Sequence, residues 1–410
     1  MSLSQHAALL APLLGGVGLF LLGMSLLTDG LKLAAGPALE QILARSTRTR
    51  LHGLASGALI TAAVQSSSAV TVAAIGFVNA GLLSLSQALW VLFGSNVGTT
   101  FTGWLVALVG LRVKVDVFAL PLVGIGALLR VFGRAPSVAA AGQAVAGFGV
   151  LFVGIGLLQQ SFAGIADGIT LPSGEGALGA LALVGVGAGL TVVMQASAAS
   201  MALALAAAQS GLIDVQSAAA VVIGANIGTT VTALLAAVGA TPNAKRAAAA
   251  HVLFNVLTAV VALALLPWLV SAIGWVREAL GFDRDPAAKL ALFHTIFNVL
   301  GVLLMWPLAE RLTRWLLTRF RTIEEDESRP RHLDDNVLQV PALALDALRR
   351  EVRRTGEIAL RTVRAAVDGQ AQRALARDRA LLGALGDAVD RFVERVHHSA
   401  MSRENSQRLP

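Results

Sequence analysis

Apolar residues gather in long blocks along this chain, and the blocks are about as long as a bilayer is thick. Seven uninterrupted runs predict membrane-crossing helices: Ala7 to about Leu31, Gln87–Gly110, Val113–Val131, Val138–Gln160, Ser217–Val238, Ala247–Leu269 and Lys289–Leu317. The first lacks a basic leading segment and reads as a retained helix rather than a cleaved signal. Two further runs, Gly53–Ala80 and Gly176–Gln209, carry Gln/Ser clusters at their centres. A spanning helix has little reason to place such groups in hydrocarbon, so both are candidates for re-entrant hairpins, with full crossing as the bland alternative. After Arg319 the pattern turns polar through Thr322-Ile-Glu-Glu-Asp-Glu-Ser-Arg-Pro330, and two amphipathic helices follow. Their apolar positions are Leu345, Leu348, Val352, Ala359, Val363 and Val367, then Leu381, Leu385, Val389, Phe392 and Val396, at helical spacing.

The chain repeats itself at an offset of 130. Gln65 pairs with Gln195, Gly81 with Gly211, and Gly94-Ser-Asn-Val-Gly-Thr-Thr100 with Gly224-Ala-Asn-Ile-Gly-Thr-Thr230. Upstream, Gly16-Val-Gly-Leu-Phe-Leu-Leu-Gly23 matches Gly147-Phe-Gly-Val-Leu-Phe-Val-Gly154 at a shift of 131. Each unit therefore starts with its own membrane helix, giving repeat 1 at about 8–134, repeat 2 at about 138–267 and an extra crossing at 289–317. The membrane domain is then 1–320, with a cytosolic helical region at 321–410.

Composition agrees: 55% of residues are hydrophobic and 14% charged, with a mean hydropathy of +0.71, against about 25% charged in soluble domains. The 41 glycines suit close packing of membrane helices. With no cysteine, disulfides and thiolate metal sites are excluded. The net charge of +7 follows the positive-inside pattern rather than a nucleic-acid footprint. Arg45, Arg48, Arg50, Arg130, Arg134, Lys245 and Arg246 are expected on the cytoplasmic side, with Asp167, Glu175 and Asp214 outside. These placements agree if both interrupted runs return to the side they left. Each repeat then crosses three times, an odd number, so the two repeats are inverted. The expected fold is an all-α polytopic membrane protein with two inverted repeats, each holding a re-entrant hairpin, plus a cytosolic helical tail, an architecture of secondary transporters.

The candidate chemistry sits in the hairpins. Hydroxyls of Gln65-Ser66-Ser67-Ser68 both donate and accept, so they suit an oxyanion and a hard cation alike. Helix–helix bonding by serine is the bland reading. The two Gly-x-Asn-x-Gly-Thr-Thr segments add Asn96, Thr99, Thr100, Asn226, Thr229 and Thr230, though their glycines equally suit close packing. They lack the lysine of a nucleotide-binding loop. His251-Val-Leu-Phe-Asn255 and His294-Thr-Ile-Phe-Asn298 place His and Asn on one helix face, favouring interhelical hydrogen bonds over proton relay. No transition-metal cluster or nucleophile–base pair is apparent, so an enzyme is not expected. The candidate loops carry no charged residue, which favours an anion bound together with a cation.

Together these motifs resemble the bacterial Na⁺/phosphate cotransporter family, related to the type II sodium-phosphate cotransporters, over about residues 10–315. The tail, from Leu333-Asp-Asp-Asn-Val-Leu-Gln-Val-Pro341 onward, looks like a short PhoU-like region. The resemblance implies sodium-coupled symport of inorganic phosphate into the cell by alternating access. It carries substrate and Na⁺ binding onto Gln65, Ser66, Ser67, Ser68 and Thr71, and onto Gln195, Ser197 and Ser200. Ala196 and Ala198 stand where serine is expected, so either a sodium site is lost or the remaining groups suffice. The implied partners are phosphate, Na⁺ and the lipid bilayer of a bacterial cytoplasmic membrane, with the C-terminus cytoplasmic and no organic cofactor or nucleic acid. Another oxyanion or small carboxylate as cargo, a regulatory scaffold, a homodimer, and a cytosolic partner for 333–410 stay open.

Overall fold

The computed structural model describes residues 3–36, 42, 47, 49–112, 115–166, 176–279, 285–320, 330, 332–333, 341–368 and 372–406. Arg45, Arg48, Asp167, Glu175 and most of the polar 322–330 segment lie outside the described residues. Regular structure among those described is entirely helical. The helices are α1 (Leu3–Ala35), α2 (Arg50–Val64), α3 (Ser67–Asn79), α4 (Leu85–Arg112), α5 (Val115–Phe132), α6 (Pro136–Ala166), α7 (Gly176–Met194), α8 (Ser197–Gln209), α9 (Val215–Gly228), α10 (Thr230–Ala236), α11 (Pro242–Ala264), α12 (Leu266–Ala279), α13 (Pro286–Leu317), α14 (Pro341–Val367) and α15 (Gln372–Ser406). The chain divides into two compact units, Met1–Phe320 and Arg321–Pro410.

Among the described residues, six helical segments are long and apolar enough to cross a membrane: Ala11–Ala35, Pro136–Gly164, Gly176–Met194, Val215–Ala236, Pro242–Ala264 and Pro286–Leu317. Five match expected crossings. The runs Gln87–Gly110 and Val113–Val131 fold as α4 and α5, whose junction includes residues outside the described ones; the described part of α5, Val117–Phe132, is a shorter apolar helix. The sixth, α7, is the first arm of an interrupted run, and its 19 residues extend about 28 Å at 1.5 Å per residue. The expected crossing at 247–269 ends instead at Ala264. Pro267 has no N–H to continue the ladder of α11, and the chain restarts as α12 with Pro267 in its first turn.

Glycines set the helix spacing. A Cβ on Gly23 would meet the backbone of Leu151 and Gly147, one on Gly16 would meet Leu158, and one on Gly30 would meet Ala144 and Ala140. From the other side, Gly154 abuts Phe20 and Gly147 abuts Leu27. As residue numbers rise along α1 they fall along α6, so the two helices are antiparallel and touch backbone to backbone. The arms behave differently. Gly94 meets Leu54 and Gly98 meets Ala58, so α2 and α4 are parallel; Gly224 meets Val184 and Gly228 meets Ala188, so α7 and α9 are parallel in the same register.

Arg246, expected as a loop charge, is 1% exposed. Its guanidinium donates to the carbonyls of Leu316 (3.1 Å) and Arg319 (3.0 Å) and to Asn243 Oδ1 (2.7 Å). The Leu316 carbonyl also accepts from the Arg319 N–H (2.9 Å), so the guanidinium adds a charged donor to the turn that closes the C-terminal end of α13. In the second unit, α14 turns a different stripe inward than the apolar pattern implies. Ala344, Ala347, Glu351, Ile358 and Thr362 are buried, whereas Leu345, Val352, Val363 and Val367 are exposed. Polar groups on the buried face find partners: Glu351 accepts from Arg354 (2.9 Å) and from the His332 backbone N–H (2.8 Å), and Thr362 donates to Asp378 (3.3 Å). Leu381, Leu385 and Phe392 of α15 are buried as their spacing predicts.

The seam between α1 and α6 yields a test. Gly23→Ala forces backbone apart and should lower stability by about 1–3 kcal/mol. Gly18→Ala, where nothing lies within 4 Å of the added carbon, should be neutral or gain up to about 1 kcal/mol from helix propensity. Thermal unfolding of the purified protein in detergent reads both.

Candidate functional site

Both Gln/Ser clusters interrupt their helices at the glutamine. Gln65 has φ 57° and ψ 30°, and Gln195 has φ 53°. The left-handed conformation costs a non-glycine residue roughly 1–2 kcal/mol, and the side chain explains why glutamine is used. Gln65 Nε2 reaches back to donate to the Ala62 carbonyl, and Gln195 Nε2 donates to that of Val192 (2.7 Å). Each amide thus covers a carbonyl left free at its helix end. The next residue is extended in both cases, with φ −146° at Ser66 and −149° at Ala196. There the copies part. Ser66 Oγ accepts from the Ala69 N–H (3.2 Å) and caps α3, whereas Ala196 has no side chain able to cap α8.

The two breaks line one cavity of about 360 Å³. Its wall takes Gln65 to Ser68 from the first break, Met194 to Ala198 from the second, Thr99 and Thr102 from α4, Asn226 from α9, Ser25 and Thr28 from α1, and His294 from α13. Among the described lining residues there is no Arg, Lys, Asp or Glu. What it offers is hydroxyls, amides, helix ends and one imidazole.

Of the residues singled out by sequence, Gln65, Ser66, Ser67, Ser68, Thr99, Gln195, Ser197 and Asn226 meet at this cavity. The others are absent from its wall. Thr71 and Ser200 are buried at 1% and 0% exposure. Asn96 Nδ2 donates to the Leu92 carbonyl (3.1 Å), and Thr100, Thr229 and Thr230 donate to backbone carbonyls three residues earlier in their own turns. Sequence reading passed over Thr61, Thr102, Ser25, Thr28 and His294 as cavity residues. For two of them the signal was present, since Thr61 and Thr102 recur as Thr191 and Thr232 at the same offset of 130. The expected interhelical bond of the His-x-x-Phe-Asn motifs is made by asparagine: Asn226 Nδ2 donates to Asn298 Oδ1 (3.1 Å). Among the described residues, His251 Nε2 meets Asn255 Nδ2 of its own helix (3.3 Å). Four-residue spacing pairs side chains along one helix before it reaches another.

Hydrogen bonding makes the two breaks unequal. Thr102 Oγ1 donates to Gln65 Oε1 (2.8 Å), tying a glutamine that is 8% exposed to α4. Its counterpart Thr232 donates instead to the Thr229 carbonyl (2.7 Å), and Gln195 is exposed. Thr61 pairs with Ser95 of α4 (2.7 Å), whereas Thr191 donates to Ser200 of α8 (2.8 Å). The repeat aligns Ser95 with Ala225 and Val70 with Ser200. A buried threonine is therefore satisfied in both halves, by hydroxyls on different helices.

The family model described as "Na+/Pi-cotransporter" matches residues 19–160 and 179–306, and each block holds one break. The chain belongs to this family. A Bacillus subtilis relative, the uncharacterized protein YqeW, is 35% identical over 302 residues, covering 72% of this chain and 93% of its own length. YjbB of Escherichia coli, provisionally named for inorganic phosphate export, is 28% identical over 356 residues, 84% of this chain; the match spans 62% of that relative's length. The rat sodium-dependent phosphate transport protein 2A is 36% identical over 98 residues, 23% of this chain and 15% of its own. No solved structure matches. Members of the Na⁺/Pi-cotransporter family are transporters rather than enzymes, and with six apolar helices this member is a membrane protein.

The exchanged hydroxyls can be tested. Ser95→Ala leaves Thr61 without its partner and should cost about 1–3 kcal/mol, seen as a lower melting temperature. Adding Val70→Ser, the arrangement of the second half, should recover at least half of the loss.

Proposed function

We propose that this member of the Na⁺/Pi-cotransporter family is a secondary carrier that couples sodium to inorganic phosphate, binding both between the two helix breaks. The observation that carries the reading is the meeting of two repeat-related breaks in one cavity whose described wall has no charged side chain. A phosphate in such a place is held by N–H and O–H dipoles and needs a cation for neutrality. Hydroxyl and carbonyl oxygens are the ligands a hard cation takes. Sodium then raises phosphate affinity, and phosphate raises sodium affinity by the same factor.

The transport cycle needs two states of one site. In this reading the halves are inverted repeats, supported by the antiparallel contact of the equivalent helices α1 and α6. The first break is a re-entrant hairpin. Its arms, 15 and 13 residues, extend only about 20–23 Å, against about 30 Å of hydrocarbon. The parallel α2 and α4, with Gly53 close to the Gln87 carbonyl, fit a chain that returns to the side it left. Arm α7 is nearly long enough to cross, so the second hairpin rests on its matching geometry. Alternating access is then rocking of one half against the other around the breaks. The protein is placed in a bacterial inner membrane, with its C-terminal helices cytoplasmic as a PhoU-like regulatory region.

Under an inward sodium gradient the cargo moves inward, and reversing the gradients reverses it. The name of the E. coli relative favours export as the second reading. Proteoliposomes loaded on either side with labelled phosphate distinguish the two. Accumulation that needs sodium and follows its gradient is expected; flux indifferent to replacing sodium by potassium would refute the coupling. Gln65→Ala and Ser67→Ala should each cut uptake at least tenfold, corresponding to about 1.5–3 kcal/mol for a hydrogen bond to a charged ligand, with membrane insertion unchanged.

A further inference from the structure

We propose that His294 is a direct ligand of the transported anion, supplying on the side of the second break a donor that the first break draws from serine. This rests on the phosphate-transport reading above and goes beyond the Gln/Ser set. Three observations converge. His294 lines the cavity from α13, and it is the one titratable side chain among the described lining residues. It is 6% exposed, and its Nδ1 is buried with no hydrogen-bond partner. The wall of the second break is poor in side-chain donors and caps, because Ala196 and Ala198 stand opposite Ser66 and Ser68 in the repeat and α8 has no side-chain cap.

Burying a polar nitrogen without a partner is unfavourable, and of the two histidines that do so, His251 and His294, it is His294 that borders the cavity. His294 is also linked through its backbone to a second residue of the cavity wall. Asn298, one turn further along α13, donates to the His294 carbonyl (2.9 Å), and its Oδ1 accepts from Asn226, which lines the same cavity. The ring faces Phe297 at 6.3 Å between centroids. An imidazole carries one donor and one acceptor when neutral and two donors when protonated, so in every form it can donate to a phosphate oxygen. The uncapped amide end of α8 offers further N–H groups to the same oxyanion. Phosphate is thus held toward the second break by the α8 terminus, Ser197 and His294. The self-capped, hydroxyl-rich first break is left to the cation.

His251 is the matched control. It shares the motif, is 2% exposed and has an equally unpaired Nδ1, yet it is not part of the cavity wall. The full-length protein is reconstituted, and phosphate KM and Vmax are measured under a sodium gradient, together with the rise in melting temperature caused by phosphate plus sodium. His294→Ala should raise KM at least tenfold and abolish the phosphate-induced shift, while the melting temperature without phosphate stays within a few degrees of wild type. His294→Gln, which keeps a donor, covers the case in which the alanine variant fails to fold and should show a smaller rise in KM. His251→Gln should leave KM unchanged. Adding Ala198→Ser to His294→Ala should recover part of the lost affinity, which a purely structural histidine would not allow. Wild-type KM and a retained phosphate shift in both His294 variants would overturn the assignment while leaving phosphate transport standing. Absence of phosphate binding and flux in the wild type would instead bring down the transport reading and this ligand with it.

Discussion

A helix broken within an apolar layer exposes backbone groups that lipid cannot hydrogen-bond, and this constraint organises the membrane unit. The breaks at Gln65 and Gln195 are tolerable because each glutamine turns its own amide back onto a freed carbonyl, and because other helices wall the gap into a polar cavity. Those helices must approach closely. Glycine supplies that approach at Gly57, Gly94 and Gly98 around the first break and at Gly187, Gly224 and Gly228 around the second, where any Cβ would overlap the facing helix. Breaks and glycines are one device: the arm that carries the polar turn is held by a neighbour packed at backbone distance.

Duplication provides two such devices, and divergence has given them different chemistry. The backbone is preserved closely, with φ 74° at Gly81 against 75° at Gly211 and matching extended residues after each glutamine. The side chains are not. The first break is capped by Ser66 and braced by Thr102, whereas the second has no side-chain cap and its glutamine is exposed. The first side of the cavity is richer in hydroxyls than the second, where Ala196 and Ala198 stand in place of serine.

Most of the architecture was legible in the chain. Apolar runs marked the helices, the offset of 130 marked the duplication, and the change after Arg319 marked the second unit. Eight of the fourteen site residues named from sequence line the cavity. The rest share its motifs but are absent from its wall; Thr100, Thr229 and Thr230 bond to a carbonyl of their own preceding turn, as Thr99 does within the wall, so helix orientation rather than the local bond separates them. In α14 the apolar stripe Leu345, Val352 and Val363 is exposed, and the buried face instead holds paired polar groups: Glu351 with Arg354 and the His332 N–H, and Thr362 with Asp378 of α15.

The sequence by itself determined local matters: where helices run, where they break, and that the pattern occurs twice. These depend on composition and spacing within a few turns. Tertiary structure decided what lies across from what. Thr61 meets Ser95 while Thr191 meets Ser200, Arg246 closes the end of α13 rather than facing water, and His294 borders the cavity while His251 does not. The same Gly-Thr-Thr runs through α4 without a break yet separates α9 from α10. Identical local preferences gave different outcomes because the partner helices differ, and contacts between distant segments are set by packing that no local spacing encodes.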